Sequence, residues 1–392
     1  MQTKANREKL YASYNWYRQM RETQPIYCEP EWGGAWHVFR YADVARVMSD
    51  YTTFSSDENR YSPPEWRDNS PISSSILRMD PPRHRQLRNL VSQAFTPRMV
   101  AHMEPRIQEI TKELLDQVAA KGEMDVVRDL AYPLPVTVIA ELLGIPTELR
   151  EEFKRWSDAL VSGDEEMTEE DRQALFQEIG GMFNYFTQVL EERRAHPQGD
   201  LVSALLAAEV DGERLSDLEL LGFCGLLLVA GNETTTNLIG NMILCLDENP
   251  DVVERLRANR ALVHGAIEEA LRYYSPVKLM TRYTTTETTI GDQHIEAGQL
   301  ILPWLSSANR DEAEFPDADR FDIEREPNRH LGFGRGIHFC LGAPLARLEA
   351  KTALNAMLDR LPGAWQIPDV PLEPIKSFIV FGTKNLPLTW GK

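Results

Sequence analysis

Basic residues are scarce in this chain: Lys and Arg number 42 against 60 Asp and Glu, a formal net charge of −18. A field of that sign excludes general attraction to nucleic acid or anionic lipid, which need a net positive surface or a basic patch. A local basic patch for an acidic protein partner stays open. Long apolar runs are missing too. The longest, 220–230, falls well short of the ~20 residues of a membrane span. Residues 1–10 are polar and charged, with neither the apolar core of a signal peptide nor an Arg/Ser-rich transit pattern. Cysteine is limited to Cys28, Cys224, Cys245 and Cys340, scattered and without CxxC spacing. That usage argues against a disulfide framework and for a cytoplasmic chain with free thiols. A special role for any one cysteine must therefore come from its neighbours.

No internal repeat, low-complexity tract or Gly/Ser linker divides the 392 residues, which suffice for one large domain enclosing a cofactor. Amphipathic helical stretches dominate, at 43–49, 82–95, 98–121, 134–143, 148–160, 170–195, 200–209, 217–248, 251–259, 261–274 and 345–361. Strand character is confined to 36–39, 278–290, 299–303 and 378–388. The expected fold class is mainly α with small β-sheets. Residues 55–76, rich in Ser and Pro and holding Tyr61 and Trp66, read as a lid-like loop. Residues 163–169 are acidic and expected at the surface. Residues 309–330, dense in Asp, Pro and Arg yet carrying Phe315, Phe321 and Ile323, read as a packed meander.

Cys340 stands in Phe333-Gly334-Arg335-Gly336-Ile337-His338-Phe339-Cys340-Leu341-Gly342, just before a predicted helix. A thiol there meets the positive end of the helix dipole and unpaired N–H groups, which lower its pKa. Gly334, Gly336 and Gly342 clear side chains from both flanks, so that backbone can approach a large flat group and aim N–H at the sulfur. Phe333, Ile337, Phe339 and Leu341 are expected to shield the sulfur from water. An inert buried cysteine, a zinc ligand and a nucleophile are the competing readings. Zinc needs three or four convergent ligands, and only His338 and His330 are near; no partner pattern marks a nucleophile. The glycines, His338 and Cys340 together favour a haem ligand, whose thiolate pushes electron density onto the iron.

A second concentration of polarity lies in the long apolar stretch after Ser216-Asp217-Leu218-Glu219, a capping box. Its middle reads Ala230-Gly231-Asn232-Glu233-Thr234-Thr235-Thr236-Asn237. A carboxylate and several hydroxyls are costly in a helix this apolar unless paired or hydrated. Thr234 can compete for the carbonyl of Ala230, so a kink or opened turn is expected here.

The cysteine segment matches the F-x-x-G-x-x-x-C-x-G haem signature and resembles the cytochrome P450 family, in its soluble bacterial form. The resemblance extends along the chain, because three further motifs follow the family's order. It implies the cytochrome P450 fold, one domain over 1–392 without a fused reductase, and haem b with Cys340 as the metal ligand. Ala230–Thr234 resembles the A/G-G-x-D/E-T motif, with Glu in place of the commoner Asp; by that resemblance Glu233 and Thr234 deliver protons to dioxygen. Glu269 and Arg272 resemble the structural E-x-x-R pair, with Arg320 as its third member. His84 and Arg88 resemble the H-x-x-x-R pair and, with Arg282 and His338, are expected to hold the haem propionates.

The activity implied is a monooxygenase using O2 to oxidise a small, mainly apolar organic substrate such as a fatty acid, terpenoid, steroid or macrolide-like compound. Alternatives are a peroxygenase or nitric-oxide reductase of the same fold, or a haem-thiolate gas sensor. Electrons are expected from a ferredoxin or flavodoxin fed by an NAD(P)H-dependent reductase, docking on the Cys340 side at Arg83, Arg85, Arg335 and Lys351. Leu226, Val229, Ala230, Val277, Leu279, Ile379 and Val380 are expected to line the substrate pocket. The Tyr61/Trp66 loop and 158–186 are expected at its entrance.

Overall fold

The structure, a computed structural model, describes residues 7–30, 34–61, 75–161 and 168–391. Trp66 and most of the 163–169 segment lie outside these residues. Helices dominate. The first eight are α1 (Glu8–Thr23), α2 (Tyr41–Ser49), α3 (Glu58–Tyr61), α4 (Arg83–Ala94), α5 (Pro97–Asp116), α6 (Pro133–Leu142), α7 (Arg150–Val161) and α8 (Glu169–Ala195). There follow α9 (Leu201–Ala207), α10 (Asp217–Glu248), α11 (Pro250–Ala258), α12 (Val263–Tyr273), α13 (Leu305–Ala308) and α14 (Ala343–Arg360). Among the described residues no helix is long and apolar enough to cross a membrane.

Strands are short: β1 (Ile26–Glu29), β2 (Ala35–Val38), β3 (Phe54–Ser55), β4 (Glu123–Asp125) and β5 (Arg282–Thr284), then β6 (Thr288–Ile290), β7 (Gln293–Ile295), β8 (Leu300–Pro303), β9 (Trp365–Gln366) and β10 (Pro387–Trp390). Five form one sheet in the order β1-β2-β8-β5-β3, with β2 and β8 parallel. The expected strand at 278–290 is broken by a bend at 285–286, and that at 378–388 reduces to isolated bridges at Val380 and Thr383 and the start of β10. Helix α1 was not among the expected helices.

The main apolar core lies where α10 passes between α6, α12 and α14, with α5 behind α14. Ser216 and Glu219 form the expected capping box at the start of α10, each side chain taking the other's backbone N–H. The helix then runs 32 residues without a break. The expected opened turn is absent, although Thr234 Oγ1 does donate to the Ala230 carbonyl at 2.6 Å. Gly231 explains the close fit: a Cβ there would stand 2.9 Å from Ile139 Cδ1 on α6.

Residues 309–330 form a packed meander with little regular structure, Phe315, Phe321 and Ile323 being buried. Their backbone is held by Arg272, whose exposure and that of Glu269 are both 0%. Arg272 Nε and Nη2 donate to Glu269 at 2.8 and 2.7 Å, Nη1 to the carbonyls of Asn309 and Ala318, and Nη2 also to that of Arg320. Arg320 therefore joins through its backbone, and its side chain faces solvent. The third charged member is Arg325, whose Nε reaches Glu269 Oε1 at 3.2 Å. One residue earlier, Glu268 accepts two hydrogen bonds from Arg347 of α14 at 2.7 Å and a contact from His330 at 3.1 Å. Arg347 also covers the ring of Phe333, 4.5 Å from its centroid, and so ties the cysteine loop to α12.

Two predictions follow from these pairs. Glu269→Gln leaves the guanidinium of Arg272 buried without its charge partner and is expected to cost about 3–5 kcal/mol in urea unfolding; a loss below about 1 kcal/mol would contradict the role given to the pair. Burial alone pushes the Glu268 carboxyl up, but Arg347 and His330 overcome it and hold it at about 2, below the ordinary 4.5. A depressed acid stabilises the fold above its unfolded pKa and loses that contribution as pH falls through the folded value. The stability gap between wild type and Glu268→Gln should thus be largest near neutral pH and shrink from about pH 5 towards pH 2. A gap independent of pH would show that the ion pair contributes nothing.

Candidate active site

A predominantly apolar cavity lies between α10 and the cysteine loop. Along α10, Phe223, Leu226, Leu227, Ala230, Thr234 and Leu238 line it, a spacing that keeps one helical face towards the space. Cys340 faces it from the opposite side, at the end of a loop closed by a 2.9 Å bond from its own N–H to the Phe333 carbonyl. Backbone N–H groups of Gly342 and Ala343, at the start of α14, point at the sulfur, and Arg88 and Arg347 add positive charge. Burial nevertheless outweighs them and pushes the thiol up. The expected depression fails because the sulfur is withdrawn from water more strongly than the helix terminus compensates. Coordination to a metal removes the proton outright.

The glycines divide their work differently from expectation. Gly342 gives its N–H to the sulfur, whereas Gly336, at φ +73°, abuts α2, where a Cβ would meet the Met48 carbonyl at 2.8 Å. Phe333 and Leu341 line the cavity, but Phe339 is 44% exposed and does not enclose the sulfur.

His84, Arg88, Arg282 and His338 come together at one end of the cavity. The two imidazole rings lie 4.3 Å apart, and His338 also bonds to the backbone of Met79. Burial first, then the neighbouring cations, push His84 down to about 4 and His338 to about 2. Arg282 is pushed down to about 10 by burial. Its Nη1 bonds the Thr281 carbonyl, while Arg88 Nη2 bonds that of Phe339; neither has a carboxylate in ion-pair contact among the described residues. His84 Nε2, His338 Nε2 and Arg282 Nη2 are buried without a partner among the described residues. Three orphaned polar atoms and two guanidiniums without a direct ion pair at one end of an apolar slot, with a thiol on its wall, fit the carboxylates of a haem whose iron takes Cys340.

Thr234 lines the cavity and Glu233 does not; it is half-buried on the next face of α10, and burial pushes its carboxyl up. Of the expected pocket residues, Leu226, Ala230 and Val277 line the space, and Val229, Leu279, Ile379 and Val380 do not. Val229 lies about 100° around the helix from Ala230. Leu279 is buried with Tyr17, Phe39 and Trp304 under the sheet, Ile379 is 48% exposed, and Val380 bridges to Val277. Phe95, Ile139, Phe223 and Met280 complete the wall. The spacing of Phe223 with Leu226 and Ala230 carried a signal for the third; Phe95 and Ile139 come from other helices and carried none. Glu349 of α14 also lines the cavity, fully buried, and burial pushes its carboxyl well above the usual range.

Of the expected docking charges, Arg85 on α4 and Arg335 in the cysteine loop are exposed. Arg83 is instead engaged, its Nε reaching Glu219 at 2.8 Å, and Lys351 contacts Glu104 at 3.4 Å.

The cytochrome P450 family model matches residues 4–160 and 135–390. The erythromycin C-12 hydroxylase of Saccharopolyspora erythraea is 43% identical over 389 residues, covering 97% of this chain and 95% of that protein. The cyclomarin C epoxidase of Salinispora arenicola is 44% identical over 375 residues, covering 95% and 94%. Among solved structures, CYP109E1 of Bacillus megaterium in complex with corticosterone superposes with a TM-score of 0.89 at 42% identity, covering 98% of this chain and 99% of that one. With the cavity, the thiol and the cationic cradle in place, these matches show that the chain belongs to the cytochrome P450 family and is a monooxygenase whose haem b is held by a cysteine thiolate.

Proposed function

We propose that this monooxygenase takes both electrons from an external ferredoxin or flavodoxin, fed by an NAD(P)H-dependent reductase in the cytoplasm. Its substrate, on this reading, is a medium-to-large apolar molecule of the macrolide, steroid, terpenoid or fatty-acid kind. The observation that carries the reading is the cavity that both Thr234 and Cys340 line while Phe95, Ile139, Phe223 and Met280 supply apolar surface. Relatives named for erythromycin and bound to corticosterone support the substrate class.

The haem, when bound, supplies the chemistry of O2 activation through a thiolate-ligated iron. The chain's own residues orient and protonate. His84, Arg88, Arg282 and His338 would hold the propionates, and Cys340 would supply the sulfur that the iron takes. Thr234 lines the cavity while its hydroxyl donates to the Ala230 carbonyl, which leaves the oxygen's lone pairs to accept a hydrogen bond from a protonated group in the cavity and hold that proton in place. Glu233 has no bonded partner among the described residues and a raised pKa, a state suited to taking and releasing protons from solvent. Apolar walls exclude bulk water, which keeps protons on this route.

Purified enzyme with NAD(P)H, reductase and ferredoxin should convert a compound that shifts the haem Soret band on binding; NAD(P)H oxidation that never yields an oxygenated product across such binders would overturn the reading. Thr234→Ala should keep NAD(P)H consumption while product per NAD(P)H falls by about 10-fold or more, hydrogen peroxide making up the difference. Glu233→Gln should slow product formation and raise its solvent isotope effect. Wild-type coupling in both variants would refute the proton roles. At the docking face, Arg85→Glu and Arg335→Glu should slow reduction several-fold and flatten its salt dependence. Unchanged rate and salt dependence would move the partner elsewhere.

A further inference from the structure

Asn232 sits between Gly231 and Glu233 and faces away from the cavity, towards α7. It is 3% exposed, and its Nδ2 donates to Ser157 Oγ at 2.5 Å, Ser157 being equally buried. Asn232 Oδ1 and Thr236 Oγ1, one turn apart on the same face of α10, are both buried without a partner among the described residues. Stability does not account for this arrangement. A side-chain hydrogen bond gains about 1 kcal/mol net, while each orphaned buried polar atom costs about 1–3 kcal/mol, so an apolar pair of similar shape holds two helices at least as well.

What the bond does is directional. On one side the missing Cβ of Gly231 lets Ile139 of α6 come within 2.9 Å of where that atom would stand. On another, Asn232 is tied to α7. The two contacts clamp one turn of α10, the turn that carries Glu233 and Thr234, and fix its rotation relative to the cavity.

We propose that Asn232 and Ser157 are a positioning pair for the Glu233–Thr234 turn: through this bond the seat of α7 sets where the two proton-handling groups stand, and so how many electrons end in product. The inference rests on the proton roles proposed above. Neither residue lines the cavity, so neither is catalytic.

The test uses the haem-loaded enzyme with its redox partners and compares Ser157→Ala, Asn232→Leu, their double variant, and Ser157→Thr as the conservative rescue. Each single variant should lower product per NAD(P)H about 3- to 10-fold, raise hydrogen peroxide correspondingly, and shift the solvent isotope effect, with KM within about twofold of wild type. The double variant should be no worse than the worse single one, because both remove one bond. Ser157→Thr should restore coupling. A lowered melting temperature with wild-type coupling and isotope effect would overturn the proposal and leave the pair as helix cement; additive losses would overturn it as well. Thr234→Ala run alongside separates the two levels. If it uncouples while the pair's variants do not, only the positioning role falls; if it stays coupled, the proton roles fall and this inference with them.

Discussion

The buried pair of Glu269 and Arg272 is the constraint on which the arrangement of the site depends. A meander without a hydrogen-bonded ladder leaves carbonyls that must find donors once buried. Arg272 supplies them to Asn309, Ala318 and Arg320, and Arg325 to Pro316, Asp317 and Arg320. Lysine could not do this, because only the planar guanidinium grips a carboxylate with one edge and carbonyls with the others. A buried ion pair is weak evidence for stability in itself. Here it gives an irregular segment one shape. The cysteine loop begins where that segment ends, and Arg347 binds Glu268 while covering Phe333. The position of Cys340 is therefore inherited from α12.

The site inverts this logic. Where the meander's carbonyls find donors in Arg272 and Arg325, the cavity leaves His84 Nε2, Arg282 Nη2, His338 Nε2 and Glu349 Oε2 without partners among the described residues. Such atoms are costly unless something fulfils them, and native structures break the rule of satisfaction mainly where they bind or react. The two patterns belong together: a frame rigidly held by its two guanidiniums allows a neighbouring cradle to stay open in the right shape.

The motifs were legible in the sequence because each is local. Cys340 with its glycines, Glu233–Thr234, Glu269 with Arg272 and His84 with Arg88 lie within a few residues of one another, so spacing and side-chain chemistry suffice to place them. Local spacing failed where distant segments decide. Val229 and Leu279 are apolar neighbours of true lining residues, but helix rotation turns the first away and the path of the chain before β5 buries the second against Tyr17, Phe39 and Trp304. Arg320 and Arg325 are alike in type and nearly adjacent, and only the path of the meander brings the second guanidinium onto Glu269. Helix α1 went unread because it is rich in Tyr and Trp, indifferent helix formers. Its helicity comes from packing: Tyr17 lies against Trp304, and Tyr14 against Tyr274 and Phe381.

Three carboxyl groups show how burial alone does not define a role. Glu269 is enclosed by two guanidiniums, an amide and a backbone N–H. Glu233 is half-buried and meets no cation, so its proton affinity rises only through lost hydration. Glu349 is fully buried against the cavity with nothing opposing desolvation, which raises its proton affinity well above the ordinary range. Desolvation therefore works against a further anion in the cavity that takes Cys340 and the haem carboxylates, and so leaves the guanidiniums of Arg88 and Arg282 to those carboxylates.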